Sequence, residues 1–258
     1  MTYYIKFVNF ESINLEKMNI KKQIPNLITL LNLFCGCIAV VFVSDSNFEM
    51  AFYFVCLGIF LDFFDGFFAR LFKVSSPLGL QLDSLADMVT SGVVPGYVMF
   101  MMMENCSNPN HYFSFFGFII TLGSCYRLAN FNIDARQTDS FIGLPTPANA
   151  LFILSLPLVL KYSDSLFALE ILTNQWVLLI ISLVSAYILN AEIPLFSLKI
   201  KNFTFAKYKL QISFLVLSIF VLVFFQFMGI PLIITAYVLL SVVNNKFSKK
   251  QDFLNEKN

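Results

Sequence analysis

Residues 61–92 read LDFFDGFFARLFKVSSPLGLQLDSLADMVTSG. Four aspartates, Asp62, Asp65, Asp83 and Asp87, fall within 26 positions, in or beside the most apolar part of the chain. Asp62 and Asp65 are three apart and Asp83 and Asp87 four apart, so on helices each pair shares a face. Gly66 and Ala69 continue the first face. Pro77 and Gly79 lie between the pairs and predict a turn that reverses the chain. The expected unit is a helical hairpin with four carboxylates turned toward one another.

The surroundings of this hairpin name its solvent. Of the 258 residues, 58% are hydrophobic and only 13% charged, with 32 Phe. An average soluble domain is about 25% charged, and a soluble globule of this size could not bury so much apolar surface. A disordered chain, a disulfide scaffold and an ordinary nucleic-acid binder are excluded, the last because the net charge is only +1. Apolar stretches at 27–43, 50–71, 84–103, 112–131, 144–160, 171–190, 211–227 and 228–243 are each near the length that crosses a bilayer. The expectation is an all-α, polytopic membrane bundle of about eight transmembrane helices, with six as the fallback. The last two stretches meet at Met228-Gly229-Ile230-Pro231, read either as a tight transmembrane hairpin or as a shallow re-entrant pair.

Orientation follows from the basic residues. With the N-terminus inside and loops assigned alternately, 16 of the 17 Lys and Arg fall on the cytoplasmic side, and Lys161 alone falls outside. Both termini are therefore expected in the cytoplasm, and the aspartates at the cytoplasmic surface of the cell membrane. Residues 1–24 lack the apolar core of a cleavable signal, and Met18 offers a second plausible start, so 1–17 read as an N-terminal extension. The expected membrane core is 18–190, and 191–258 carries a basic loop, a helical hairpin and a tail. The basic loop reads as an anchor to anionic headgroups. Cys35-Gly36-Cys37 lacks the second pair a metal site needs and reads as small packing residues.

Four neighbouring carboxylates cannot all ionise without compensation, and ionisable groups inside a membrane are by default functional. An oxygen-only donor set without His or Cys suits Mg²⁺ or Mn²⁺ rather than zinc. A single Asp could be a cap, and acids three apart are common on exposed faces. Four acids with two small residues and an Arg in adjacent apolar helices are not explained that way. Arg70, one turn beyond Gly66, reads as ordering the acids or a bound phosphate, against the alternative of a snorkelling side chain.

The pattern Asp62-x2-Asp65-Gly66-x2-Ala69-Arg70-x8-Gly79-x3-Asp83-x3-Asp87 resembles, at every fixed position, the signature of the CDP-alcohol phosphatidyltransferase family. The resemblance implies transfer of a phosphatidyl or related group from a CDP-linked donor to an alcohol, with release of CMP. It implies two divalent ions on the donor diphosphate held by Asp62, Asp65, Asp83 and Asp87, with Asp87 as general base. Gly66, Ala69, Arg70 and Gly79 would then line the donor. These roles match what phosphoryl transfer needs, namely charge neutralisation and an activated nucleophile in line with the leaving group. The family also implies a homodimer.

A second cassette lies downstream, Tyr126-Arg127-Leu128-Ala129-Asn130-Phe131-Asn132, then Arg136 and the run Phe141-Ile142-Gly143-Leu144-Pro145-Thr146-Pro147-Ala148-Asn149-Ala150. Arg127 and Arg136 could bind an acceptor carboxylate or a donor phosphate, or only anchor the helix end at the headgroups. Together with Ile24-Pro25-Asn26-Leu27-Ile28-Thr29 and Ser84-Leu85-Ala86-Asp87, the cassette is similar to the phosphatidylserine synthase branch of the family. That implies CDP-diacylglycerol as donor and L-serine as acceptor. Glycerol 3-phosphate and inositol or its phosphate are the alternative acceptors. An ion-coupled transporter is the alternative of another class, but an ion pathway does not require the Gly66, Ala69, Arg70 and Gly79 frame. A route through a phosphatidyl-histidine needs two His, and the chain has only His111.

Overall fold

The computed structural model describes residues 20–74, 76–107, 109–134, 142–195 and 209–255. The architecture is all-α, and the described residues contain no strand beyond one isolated bridge between Ile142 and Pro194. Helix α1 (Ile20–Ser44) and helix α2 (Phe48–Phe72) pack along each other as a hairpin. Their turn is closed by Ser46 in the left-handed region (φ 57°) and by the Asn47 side chain, which accepts the Met50 N–H at 3.2 Å.

The reversal after α2 comes earlier than the spacing predicts. Lys73 takes the left-handed cap conformation (φ 54°), and the Val74 N–H closes onto the Ala69 carbonyl at 2.9 Å. Ser76 then caps α3 (Pro77–Asp87) by accepting the Gly79 N–H at 2.9 Å. Pro77 and Gly79 thus open the next helix rather than form the turn. Proline is preorganised for a first helical position, where its missing N–H is not needed. The third apolar segment consequently starts at Pro77, ahead of the expected 84.

Beyond Asp87 the same segment widens into a π-helical stretch (Met88–Val93) and continues as α4 (Val94–Glu104). The Val94 N–H reaches back to the Val89 carbonyl, and the wider turn absorbs Pro95, which has no N–H to give. Short α5 (His111–Ser114), a 3-10 turn (Phe115–Phe118) and α6 (Ile119–Ile133) make the next segment. Helix α7 (Thr146–Tyr162) runs through the middle of the bundle, with Ala150, Ile153, Leu154 and Leu158 fully buried. Helices α8 (Leu166–Leu172) and α9 (Gln175–Asn190) are bent by 76°.

The last helical segment, α10 (Lys209–Asn255), folds back on itself at Gln226 (φ 46°, ψ −124°). The rings of Phe214 and Tyr237 stand 5.8 Å apart, whereas a straight helix would separate them by about 35 Å. Gly229 permits the close return, since a Cβ there would come 2.8 Å from the Val221 carbonyl oxygen. The break therefore sits at Gln226, just ahead of the expected Met228–Pro231.

Among the described residues, five segments are long and apolar enough to cross a membrane: Gln23–Ser44, Phe48–Phe72, Pro77–Glu104, His111–Ile133 and Gln211–Asn245. The bent α8–α9 pair makes six. The eight expected crossings count α7, which has 17 residues, and the two limbs of α10 separately. Phe60, Phe63, Leu71, Leu122, Ile180 and Val223 are exposed, an outer surface suited to lipid rather than water. Lys161 pairs with Glu49 at 2.6 Å, and the Tyr162 hydroxyl donates to the same carboxylate, which ties the end of α7 to the start of α2. The N-terminal extension and most of the basic loop at 199–209 lie outside the described residues.

Gly117 packs backbone to backbone on α4, where an added Cβ would lie 2.6 Å from the Phe100 nitrogen. Gly117→Ala should lower stability by about 2 kcal/mol, read as a depressed melting temperature in detergent.

Candidate active site

Two helices bring the acids together. Asp62 and Asp65 project from the last turns of α2 and Asp83 from α3, and one carboxylate oxygen from each lies within 4.8 Å of the other two. Asp65 is buried and accepts the Thr29 hydroxyl of α1 at 2.5 Å. Asp87 lies outside this group of three. Its Oδ1 accepts the side-chain N–H of Asn32, also on α1, at 3.2 Å. The Thr90 hydroxyl in turn donates to Asn32 Oδ1 at 2.9 Å. Helix α1 thus reaches both acidic helices with two polar groups one turn apart.

Beside the cluster is a cavity of ≈ 220 Å³, lined by Asp65, Asp83, Gly66, Ala69, Gly79 and Asn26 among others. Of the expected donor-lining residues, Gly66, Ala69 and Gly79 all border it. A Cβ on Gly66 would meet nothing closer than the Arg70 guanidinium at 3.5 Å, so this wall is kept open rather than filled by packing. Arg70, at the surface, covers the outer edge of that wall.

The donor set suits a hard divalent cation. All the gathered atoms are carboxylate oxygens, the hard donors that Mg²⁺ and Mn²⁺ take. Asp62, Asp65 and Asp83 are the residues that could hold such an ion at the edge of the cavity.

The second cassette is placed differently. Arg127 is buried, and its Nη1 donates to the carbonyls of Ile142 (2.8 Å) and Leu189 (2.9 Å). It clamps the strap ahead of α7 onto the end of α9 and does not line the cavity beside the aspartates. Gly143 is required under this clamp, with φ 75° and the guanidinium 2.9 Å from where its Cβ would be. Arg136 lies outside the described residues. Asn132 donates to Ser84 at 2.8 Å, which joins α6 to the acidic hairpin. Cys35 is buried and Cys37 exposed, so the Cys-Gly-Cys run does not converge on one point.

Residues 22–188 match the CDP-alcohol phosphatidyltransferase family. The chain belongs to this family. Among curated relatives, a Helicobacter pylori CDP-diacylglycerol–serine O-phosphatidyltransferase is 30% identical over 222 residues, covering 81% of this chain and 87% of the relative. A Bacillus subtilis protein of the same name is 37% identical over 128 residues, 48% of this chain and 69% of the relative. A third, from Methanocaldococcus jannaschii, is 33% identical over 130 residues, 50% and 58% of the two chains. As a CDP-alcohol phosphatidyltransferase, the chain is a transferase enzyme of membrane-lipid synthesis.

The motif reading of this phosphatidyltransferase found the acids but missed Asn32 and Thr90. A signal was present: Asn32 interrupts an apolar span, three residues after Thr29, and a polar side chain at such a depth needs a partner. Asp83→Asn should weaken Mn²⁺ binding by at least about tenfold, measured by electron paramagnetic resonance on detergent-purified protein.

Proposed function

We propose that the enzyme transfers the phosphatidyl group of CDP-diacylglycerol to the hydroxyl of L-serine, giving phosphatidylserine and CMP. The observation that carries this is the convergence of Asp62, Asp65 and Asp83 beside an open cavity, with Asp87 next to them and held by Asn32. The name of the relatives, one of them aligned over most of this chain, supports serine as the acceptor.

In this reading the serine oxygen attacks the phosphorus that carries the diacylglycerol. A new P–O bond forms, the P–O bond to the CMP phosphate breaks, and the serine proton passes to Asp87. Divalent ions, when held by Asp62, Asp65 and Asp83, would supply charge neutralisation on the diphosphate; Asp87 Oδ1 accepts from Asn32, which orients the carboxylate toward the alcohol. Gly66, Ala69 and Gly79 let the diphosphate approach the helices closely, and Arg70 meets its outer oxygens. Arg127 acts by holding the strap that leads into α7, and Arg136 is the remaining candidate for the acceptor carboxylate.

The bundle crosses the cell membrane eight times, counting α7 and both limbs of α10, with both termini and the site on the cytoplasmic side. The uneven distribution of Lys and Arg supports this orientation. The enzyme works as a homodimer, as the family resemblance implies.

Purified protein given CDP-diacylglycerol and each labelled alcohol in turn should release CMP with serine; labelled lipid from glycerol 3-phosphate or inositol instead would overturn the acceptor assignment. Chelation with EDTA should abolish turnover, and Mg²⁺ or Mn²⁺ should restore it. Asp87→Asn should fold normally yet lose at least about a hundredfold in CMP release, and wild-type turnover in that variant would remove Asp87 as the base.

A further inference from the structure

We propose that Asn32 is a positioning residue for Asp87 and that Thr90 sets the direction of its amide. The inference rests on the transferase reading for what Asp87 does, but its geometry stands apart from the acidic motif.

Asn32 and Thr90 are 0% and 1% exposed, deep in a bundle where an unpaired amide is costly. An Asn side chain can present either its oxygen or its NH₂ to a neighbour. Here the Thr90 hydroxyl donates to Oδ1 at 2.9 Å, and this turns the NH₂ toward Asp87 Oδ1, 3.2 Å away. With Oδ1 of the carboxylate restrained in this way, the carboxylate plane is fixed, and Oδ2 is the oxygen assigned to the nucleophile. The amide can donate but cannot take up the proton, so it orients the base without competing with it.

Two glycines make room for this arrangement. A Cβ on Gly36 of α1 would lie 2.6 Å from Thr90 Oγ1 and 3.1 Å from the Thr90 Cα. A Cβ on Gly58 of α2 would lie 2.8 Å from both Asn32 Oδ1 and Thr90 Cγ2. Helices α1 and α2 and the π-helical stretch therefore meet at one point, and Asn32 and Thr90 fill it. Thr90 itself sits in that stretch, which begins one residue after Asp87.

Thr90→Val keeps the shape and removes the hydroxyl, and Thr90→Ser keeps the hydroxyl. Thr90→Val should lower kcat by about tenfold, with KM for both substrates and Mn²⁺ affinity within about twofold of wild type. Thr90→Ser should recover most of the loss. Equal turnover in wild type and Thr90→Val, or equal losses in the two variants, would overturn the proposal. So would a joint loss of KM and Mn²⁺ binding, which marks a merely structural role.

A second measurement needs no turnover. In protein labelled with ¹⁵N-asparagine, the Asn32 side-chain amide pair, assigned by its loss in Asn32→Ser, should shift in both Thr90→Val and Asp87→Asn. If it moves in neither, Asn32 does not couple the two residues. If it moves in both while the wild type releases no CMP with any alcohol, the positioning stands and the assigned reaction fails.

Discussion

Carboxylates among membrane-spanning helices are tolerated only where hydrogen bonds or cations meet them, and this constraint organises the bundle. Helix α1 supplies the hydrogen bonds, from Thr29 to Asp65 on α2 and from Asn32 to Asp87 at the end of α3. The remaining acids gather beside them, and their all-oxygen donor set suits a divalent ion. The glycines that bring α1, α2 and the π-helical stretch together serve the same end, because the polar groups on α1 could not reach the acids across a wider gap.

The fold class and the acidic pairs were legible because both are local properties of the chain. Spacings of three and four fix which aspartates share a helix face before any tertiary contact exists. Pro77 and Gly79 were harder, since the same residues mark a turn or open a helix; Ser76, by accepting the Gly79 N–H, decides between them. Gly229 and Pro231 pointed to the break in α10, but the positive φ falls on Gln226, a residue whose type gives no warning of it.

The partners of the acids were not legible, because Asn32 and Asp87 are 55 positions apart and nothing in either segment announces the other. Arg127 shows the same limit from the other side. Its place at the end of a span near a phosphate-transfer motif invites a ligand role, yet Nη1 satisfies two main-chain carbonyls 15 and 62 positions away. Backbone acceptors carry no signature in the sequence, so a buried arginine that serves them reads like one awaiting an anion.

The π-helical stretch between Asp87 and α4 also sets an angle. A π turn holds about one residue more than an α turn, and each extra residue rotates the helix before it by about 100° relative to the helix after it. The acids of α3 and the core side chains of α4, such as Val98, Met99 and Met103, therefore keep separate angular registers on a single span. Rewinding the stretch to α geometry with every residue kept would leave the composition of the span unchanged while turning its chemistry away from α2.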